Sequence, residues 1–221
     1  MHLFRSLSAS FAQHLVVVAS VCITGCGEDV ATVPSGPENV EVLTPGAPPL
    51  PGQTECRVVK TTNIALEVAA HVTTCTPVTY ATNPPSGGNH WPTWAAFKKY
   101  TQRVPREMYV HAMEHGAVVL SYRCDDGCPD VVAALETVFD EAQGDPLCVM
   151  QGNGPKTRLV LTPDPDLDTP IAASAWGATY TATCIDTESL GTFISANYDK
   201  GPEKLCYPGE DIETTGGPKC D

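Results

Sequence analysis

Basic residues are scarce in this chain of 221 residues: thirteen lysines and arginines stand against twenty-six aspartates and glutamates, for a formal net charge of −13. A surface that acidic repels phosphate backbones and anionic headgroups, which excludes nucleic acid and an anionic lipid surface as electrostatic partners. Cations, basic partners or plain solubility remain. Long apolar runs are missing too. The most apolar stretch, Leu15 to Ile23, covers nine residues, well short of the roughly 20 that a helix needs to cross a bilayer. No internal repeat is visible, which excludes solenoid and propeller architectures. The paired Cys-x-x-Cys doublets of a zinc ribbon are absent, because no two cysteines have fewer than three residues between them, Cys124 and Cys128 included. Histidine is sparse: beyond residue 25 there are only His71, His90, His111 and His115.

The apolar stretch has a different use. It follows a start whose only formal charge is Arg5 and leads into Ile23-Thr24-Gly25-Cys26. A charged start, a short apolar centre and small residues before a cut describe a secretory signal. The Thr-Gly-Cys ending resembles a bacterial lipobox, in which the cysteine is acylated and becomes the first mature residue. This implies residues 1–25 as signal peptide, Cys26 as the lipidation site and a membrane link through that anchor alone. The expected location is the bacterial cell envelope, facing an oxidising compartment. Gly27 in place of aspartate points to onward transport to an outer membrane or cell surface. Removal of the signal takes away one basic residue and no acidic one, leaving 196 residues at a net charge of −14.

Residues 26–54 then read as a tether. From 27 to 54 there are six prolines, four glycines and no aromatic residue, a composition that favours semi-extended polyproline-like chain. Its full reach would be roughly 90 Å. A single globular domain is expected over 55–221, beginning near Cys56. Eight cysteines fall there: Cys56, Cys75, Cys124, Cys128, Cys148, Cys184, Cys206 and Cys220. An even number in an exported chain reads as a disulfide framework, with about 105 pairings open to it. Closure of short loops favours Cys56 with Cys75 and Cys206 with Cys220, leaving the other four to pair in any of three ways. With its thiols oxidised, the domain has no cysteine nucleophile.

Apolar patterning within the domain predicts strands at 117–122, 158–161 and 171–176, with weaker ones at 57–59 and 65–69. A helix is expected from Pro129 to Ala142, with Val132, Leu135, Val138 and Phe139 on one face. A second runs from Thr187, its expected cap, to Asn197, with Leu190, Phe193 and Ile194 as the stripe. These elements make the fold class α+β: a small mixed or antiparallel sheet with two or more helices, stapled by disulfides.

The chemistry concentrates in Val110-His111-Ala112-Met113-Glu114-His115-Gly116. Four residues apart, His111 and His115 share a face whether the segment is helix or strand; Glu114 joins them only on a helix. Imidazole nitrogen suits zinc and copper. His90, carried on the irregular Pro84-Pro85-Ser86-Gly87-Gly88-Asn89 turn, supplies a third ligand if the fold brings it near. Glu114 then serves as ligand, orienter or general base. His71 stands alone and reads as an ordinary surface or turn residue. The formal match of 111–115 to the His-x-x-Glu-His pattern of inverted zinc peptidases is set aside, because those need a long uninterrupted helix. Two further patterns are also set aside. Asp164 to Asp168 lacks the glycine and glutamate of a calcium loop at 169 and 175, and Gly152 to Thr157 lacks the ending of a phosphate loop. Trp91, Trp94 and Trp176 read as packing residues, the first two placed to wall a pocket beside His90.

Five blocks together, Tyr80 to His90, Trp94, Val110 to Gly116, Ala175-Trp176-Gly177 and Gly201-Pro202-Glu203, resemble the secreted bacterial family known as domain of unknown function 3105. That family usually reads Pro-Pro-Thr-Ser-Gly-Pro-His in the first block; this chain departs at the middle positions and keeps the histidine. The resemblance implies a shared site around His90, His111, Glu114 and His115 and names no substrate. Three functions follow as expectations. The first is an envelope lipoprotein binding copper or zinc through these four residues. The second is a hydrolase or oxidase using the same group, with Glu114 as its base. The third is a non-catalytic module in which the histidines only tie loops together.

Overall fold

β-Strand pairing begins earlier than the composition suggests, at Asn39. The computed structural model describes residues 36–66, 68–125, 127–152 and 157–220. The expected signal peptide, Cys26, Gly27 and most of the Gly152–Thr157 pattern lie outside them. The strands are β1 (Asn39–Leu43), β2 (Val58–Thr62), β3 (Val118–Tyr122), β4 (Leu159–Pro163), β5 (Ile171–Ala175) and β6 (Ala178–Ala182). The helices are α1 (Arg106–Glu114), α2 (Pro129–Glu141), α3 (Pro146–Met150), α4 (Thr187–Asn197) and α5 (Ile212–Thr215). One six-stranded sheet in the order β1-β2-β6-β5-β3-β4 results. It is mixed: β3 and β4 run parallel and every other pair antiparallel. Parallel neighbours cannot be joined by a tight turn, and α2 and α3 supply the crossover. The fold class is the α+β arrangement expected.

Both faces of the sheet are covered. Val118, Leu120, Leu159 and Leu161 point into one core with Val131 and Leu135 of α2 and Leu190 and Phe193 of α4. Val119 and Val160, the alternate positions, point into a second core with Met108, Tyr109 and Met113 of α1 and with Trp91 and Trp176. Strands buried on both sides lose the polar alternation of a half-exposed sheet, which is why β3 and β4 read as unbroken apolar runs.

Several expectations need correction. The segment expected as a tether holds β1, which pairs with β2 from Asn39↔Thr62 to Leu43↔Val58. Leu50 also donates its N–H to the Thr183 carbonyl at 2.9 Å. The folded region thus begins well before Cys56, because Val40-Glu41-Val42 carries a strand alternation that the surrounding prolines mask. Residues 65–69 form no strand among the described ones. Thr187 is the first residue of α4 rather than its cap, which is Asp186. In α2 Leu135 and Val138 are buried as expected and Phe139 packs against the same core, while Val131 rather than Val132 completes the buried stripe.

Both favoured disulfides are also overturned. The pairs are Cys56–Cys184, Cys75–Cys220, Cys124–Cys128 and Cys148–Cys206. The reason is sheet register. Val58 lies opposite Ala182, so extending the antiparallel ladder by two residues sets Cys56 against Cys184. Pairing by sequence proximity fails wherever strand pairing brings distant segments together. Links spanning 128 and 145 residues restrict the unfolded chain most, each contributing on the order of 4 kcal/mol.

Candidate metal centre

α1 places the first two functional side chains. Its register sets His111 and Glu114 three apart on one face, and the helix ends at His115, whose backbone N–H still bonds the His111 carbonyl. The buried residues Met108, Tyr109, Val110, Ala112 and Met113 hold the helix in the second core. Arg158 fastens its end: Nη1 donates to the His115 carbonyl at 2.6 Å, Nε to Asp145 at 2.9 Å and Nη2 to Asp199 at 2.7 Å. The turn at Gly88, with φ of 116°, returns the chain so that its carbonyl faces the ring two residues on. His90 donates Nδ1–H to that carbonyl at 2.8 Å. His111 does the same to the Trp91 carbonyl at 2.7 Å.

His71 arrives by a backbone route. The chain around it forms an isolated bridge with His90, in which Val72 N–H bonds the His90 carbonyl and His90 N–H bonds the Ala70 carbonyl. Its ring centroid lies 4.9 Å from that of His90 and 4.8 Å from that of His111. The Nε2 atoms of His71, His90 and His111 sit 4.0, 3.0 and 3.9 Å from one oxygen, Oε2 of Glu114. Ligand atoms of all four residues lie within 4.8 Å of one another. His90 and His111 are buried, Glu114 is 13 % exposed and His71 is 53 % exposed, so the group opens to solvent on the His71 side.

The hydrogen bonds determine which nitrogen is available. A backbone carbonyl only accepts, so Nδ1 of His90 and of His111 carries a proton, and Nε2 is the nitrogen that each ring presents to Glu114. Orientation of an imidazole through its far nitrogen is the usual support of a metal ligand. The 3.0 Å between His90 Nε2 and Glu114 is hydrogen-bond length, yet the direction is wrong, and Nε2 is buried without an aligned partner. A buried polar atom in that state carries a cost. Four ligands bonded at 2.0–2.1 Å in a tetrahedron sit about 3.3 Å apart, inside the observed spread of contacts to Glu114.

Electrostatics put His111, His115 and Glu114 in their ligating states. Burial, helped by His90 and His115, pushes the His111 imidazolium down to about 3. Burial likewise brings His115 down to about 4, against the pull of Glu114. Burial raises Glu114, but its contact with His90 and the nearby His111 and His71 outweigh this and hold it below the ordinary carboxylate range. Near neutral pH the metal-free group therefore offers uncharged rings at 111 and 115 beside an anionic carboxylate.

His115 does not join His71, His90 and His111. Its Nε2 faces Glu203 Oε2 at 3.0 Å, and Glu114, His115 and Glu203 form a second group of ligand atoms within 4.8 Å. Of the four residues expected together, His90, His111 and Glu114 converge, and His115 shares only Glu114 with them. His71 is on the surface as expected, but it does not stand alone: its ring meets those of His90 and His111, and nothing local in its sequence announces the bridge to His90. Glu203 did carry a signal, in the Gly201-Pro202-Glu203 block. Gly201 passes so close to the end of α1 that a Cβ there would collide with the Met113 and Glu114 carbonyls. That approach lets Glu203 N–H bond the Glu114 carbonyl at 2.9 Å. Trp94 walls the site, its ring 5.2 Å from His111 and 4.5 Å from His115. Trp91 is buried and contributes its carbonyl rather than its ring.

A family model described as protein of unknown function (DUF3105) matches residues 71–208, a span holding every residue of both groups. No curated protein and no solved structure was found to match the chain.

Proposed function

The chain belongs to the DUF3105 family of proteins of unknown function, and we propose that it is an envelope metal-binding lipoprotein. In this reading it holds zinc or copper on His71, His90, His111 and Glu114. One observation carries it: the buried Nε2 of His90, whose opposite nitrogen donates to the Gly88 carbonyl, lies beside Glu114 without a hydrogen bond. Three imidazoles and a carboxylate are a donor set for zinc or copper rather than for calcium or magnesium, which take oxygen. His71, more than half exposed, is the ligand through which an ion enters, since His90 and His111 are buried and Glu114 is only 13 % exposed.

Four disulfides suit an oxidising, extracellular-type compartment. Among the described residues no helix is long and apolar enough to cross a membrane. Attachment through Cys26 completes the reading: Cys26→Ser should release the protein from the membrane fraction and abolish incorporation of labelled palmitate. The metal is tested by equilibrating the oxidised protein with Zn(II) or Cu(II), followed by elemental analysis. Retention at one equivalent or more is expected, with a loss of at least 100-fold in affinity in His90→Ala and His111→Ala. Failure to retain either ion above the level of an unrelated acidic protein overturns the reading.

A further inference from the structure

We propose that the centre is dinuclear, with Glu114 shared between the ion on His71, His90 and His111 and a second divalent ion on His115 and Glu203. This rests on the metal-binding reading above and extends it to a site of its own. The two groups of converging ligand atoms have only Glu114 in common, and a carboxylate has an oxygen for each of two ions. The His111 and His115 rings are 4.7 Å apart between centroids, compatible with the 3.5–4 Å spacing of two-metal sites.

One ligand atom each of Glu114, His115 and Glu203 lies within 4.8 Å of the others, a donor set of two carboxylate oxygens and one imidazole nitrogen that suits a divalent transition metal. His115 differs from His90 and His111 at the far nitrogen: its buried Nδ1 has no hydrogen-bond partner, so the backbone does not reserve a proton for it. Glu203 is held in place by its own N–H on the Glu114 carbonyl and is about one-third exposed. Water therefore reaches the second ion at the Glu203 side, as it reaches the first at His71.

The test uses the intact oxidised protein and Zn(II) and Cu(II) as probes. Elemental analysis should find two equivalents in the unmodified chain and one in Glu203→Gln, a substitution at a partly exposed side chain whose folding is checked by the melting temperature of the metal-free form. In electron paramagnetic resonance, the first equivalent of Cu(II) should give an isolated-ion signal, and the second should broaden or quench it through Glu114. That readout needs no variant. One equivalent in both proteins, with an unaltered Cu(II) signal on further addition, overturns the dinuclear proposal while leaving the single site standing. No retained metal in either overturns both.

Discussion

On one face of the sheet, α2 and α4 lay Val131, Leu135, Leu190 and Phe193 over Val118, Leu120, Leu159 and Leu161. On the other, α1 shares its cover with the irregular chain between Ile64 and Val104, which brings Trp91, Phe97 and Tyr100, and with Cys148 of α3 and Ile212 of α5. The first face is mainly aliphatic, with Tyr180 and Phe193 among its buried residues, and assembled from regular elements. The second is rich in aromatic residues and methionine, and His90, His111 and His115, the buried histidines among the described residues, border it. The contrast shows a division of labour. Regular packing provides a rigid platform, and the irregular segments, tied down by Cys75–Cys220 and Cys148–Cys206, bring polar side chains to one point. Backbone carbonyls left free of ladder bonding, such as those of Gly88 and Trp91, are the ones that orient the imidazoles.

Four perturbations sharpen this contrast, taken from the largest effect. Arg158→Ala leaves the buried Asp145 carboxylate without its cationic partner, with only Tyr198 and Leu147 still bonded to it, and releases the end of α1; a loss of about 3–5 kcal/mol is expected. Denaturant unfolding measures it, and the affinity of the remaining folded protein for Zn(II) should fall as well. Leu135→Ala, deep in the aliphatic core, should cost about 2–4 kcal/mol and leave Zn(II) affinity unchanged, because no site residue touches that face. If both variants weakened metal binding equally, the separation of the faces would fail.

The third perturbation is acid. With His111 near 3 and His115 near 4 in the folded protein and about 6.5 when unfolded, the unfolded chain binds more protons between these limits. Stability of the metal-free protein is therefore full above about pH 6.5 and declines as pH falls toward 4 and then 3. Melting temperatures measured in chelator should follow that course, and His111→Gln should flatten it. The smallest effect belongs to Glu213, which Lys98 and Thr101 hold down at about 2. Its contribution is present above about pH 4.5 and is lost as pH falls toward 2. Glu213→Gln should cost below about 1 kcal/mol at neutral pH, visible as a small drop in melting temperature.

Legibility divides along the same line. Residues 187–197 read as a helix with Leu190, Phe193 and Ile194 inward, as found, because one helix stripe and one core coincide there. The sheet positions of β3, β4 and β5 were equally plain. β1 was not, since two valines flanked by prolines weigh less than the pairing energy β2 offers them. Around the site, the four-residue spacing of His111 and His115 pointed to convergence whichever element formed. It did not reveal that the last helical turn directs the two rings to different partners, Glu114 and Glu203.

The amino-acid sequence by itself determined an acidic, cysteine-paired α+β domain, two of its helices, and the neighbourhood of His111, Glu114 and His115, because these follow from composition and local periodicity. Only the tertiary structure decided which cysteines join, that His71 meets His90, and that His115 turns to Glu203. Those outcomes depend on backbone hydrogen bonds between segments far apart in the chain, and no local pattern of side chains encodes where such segments meet.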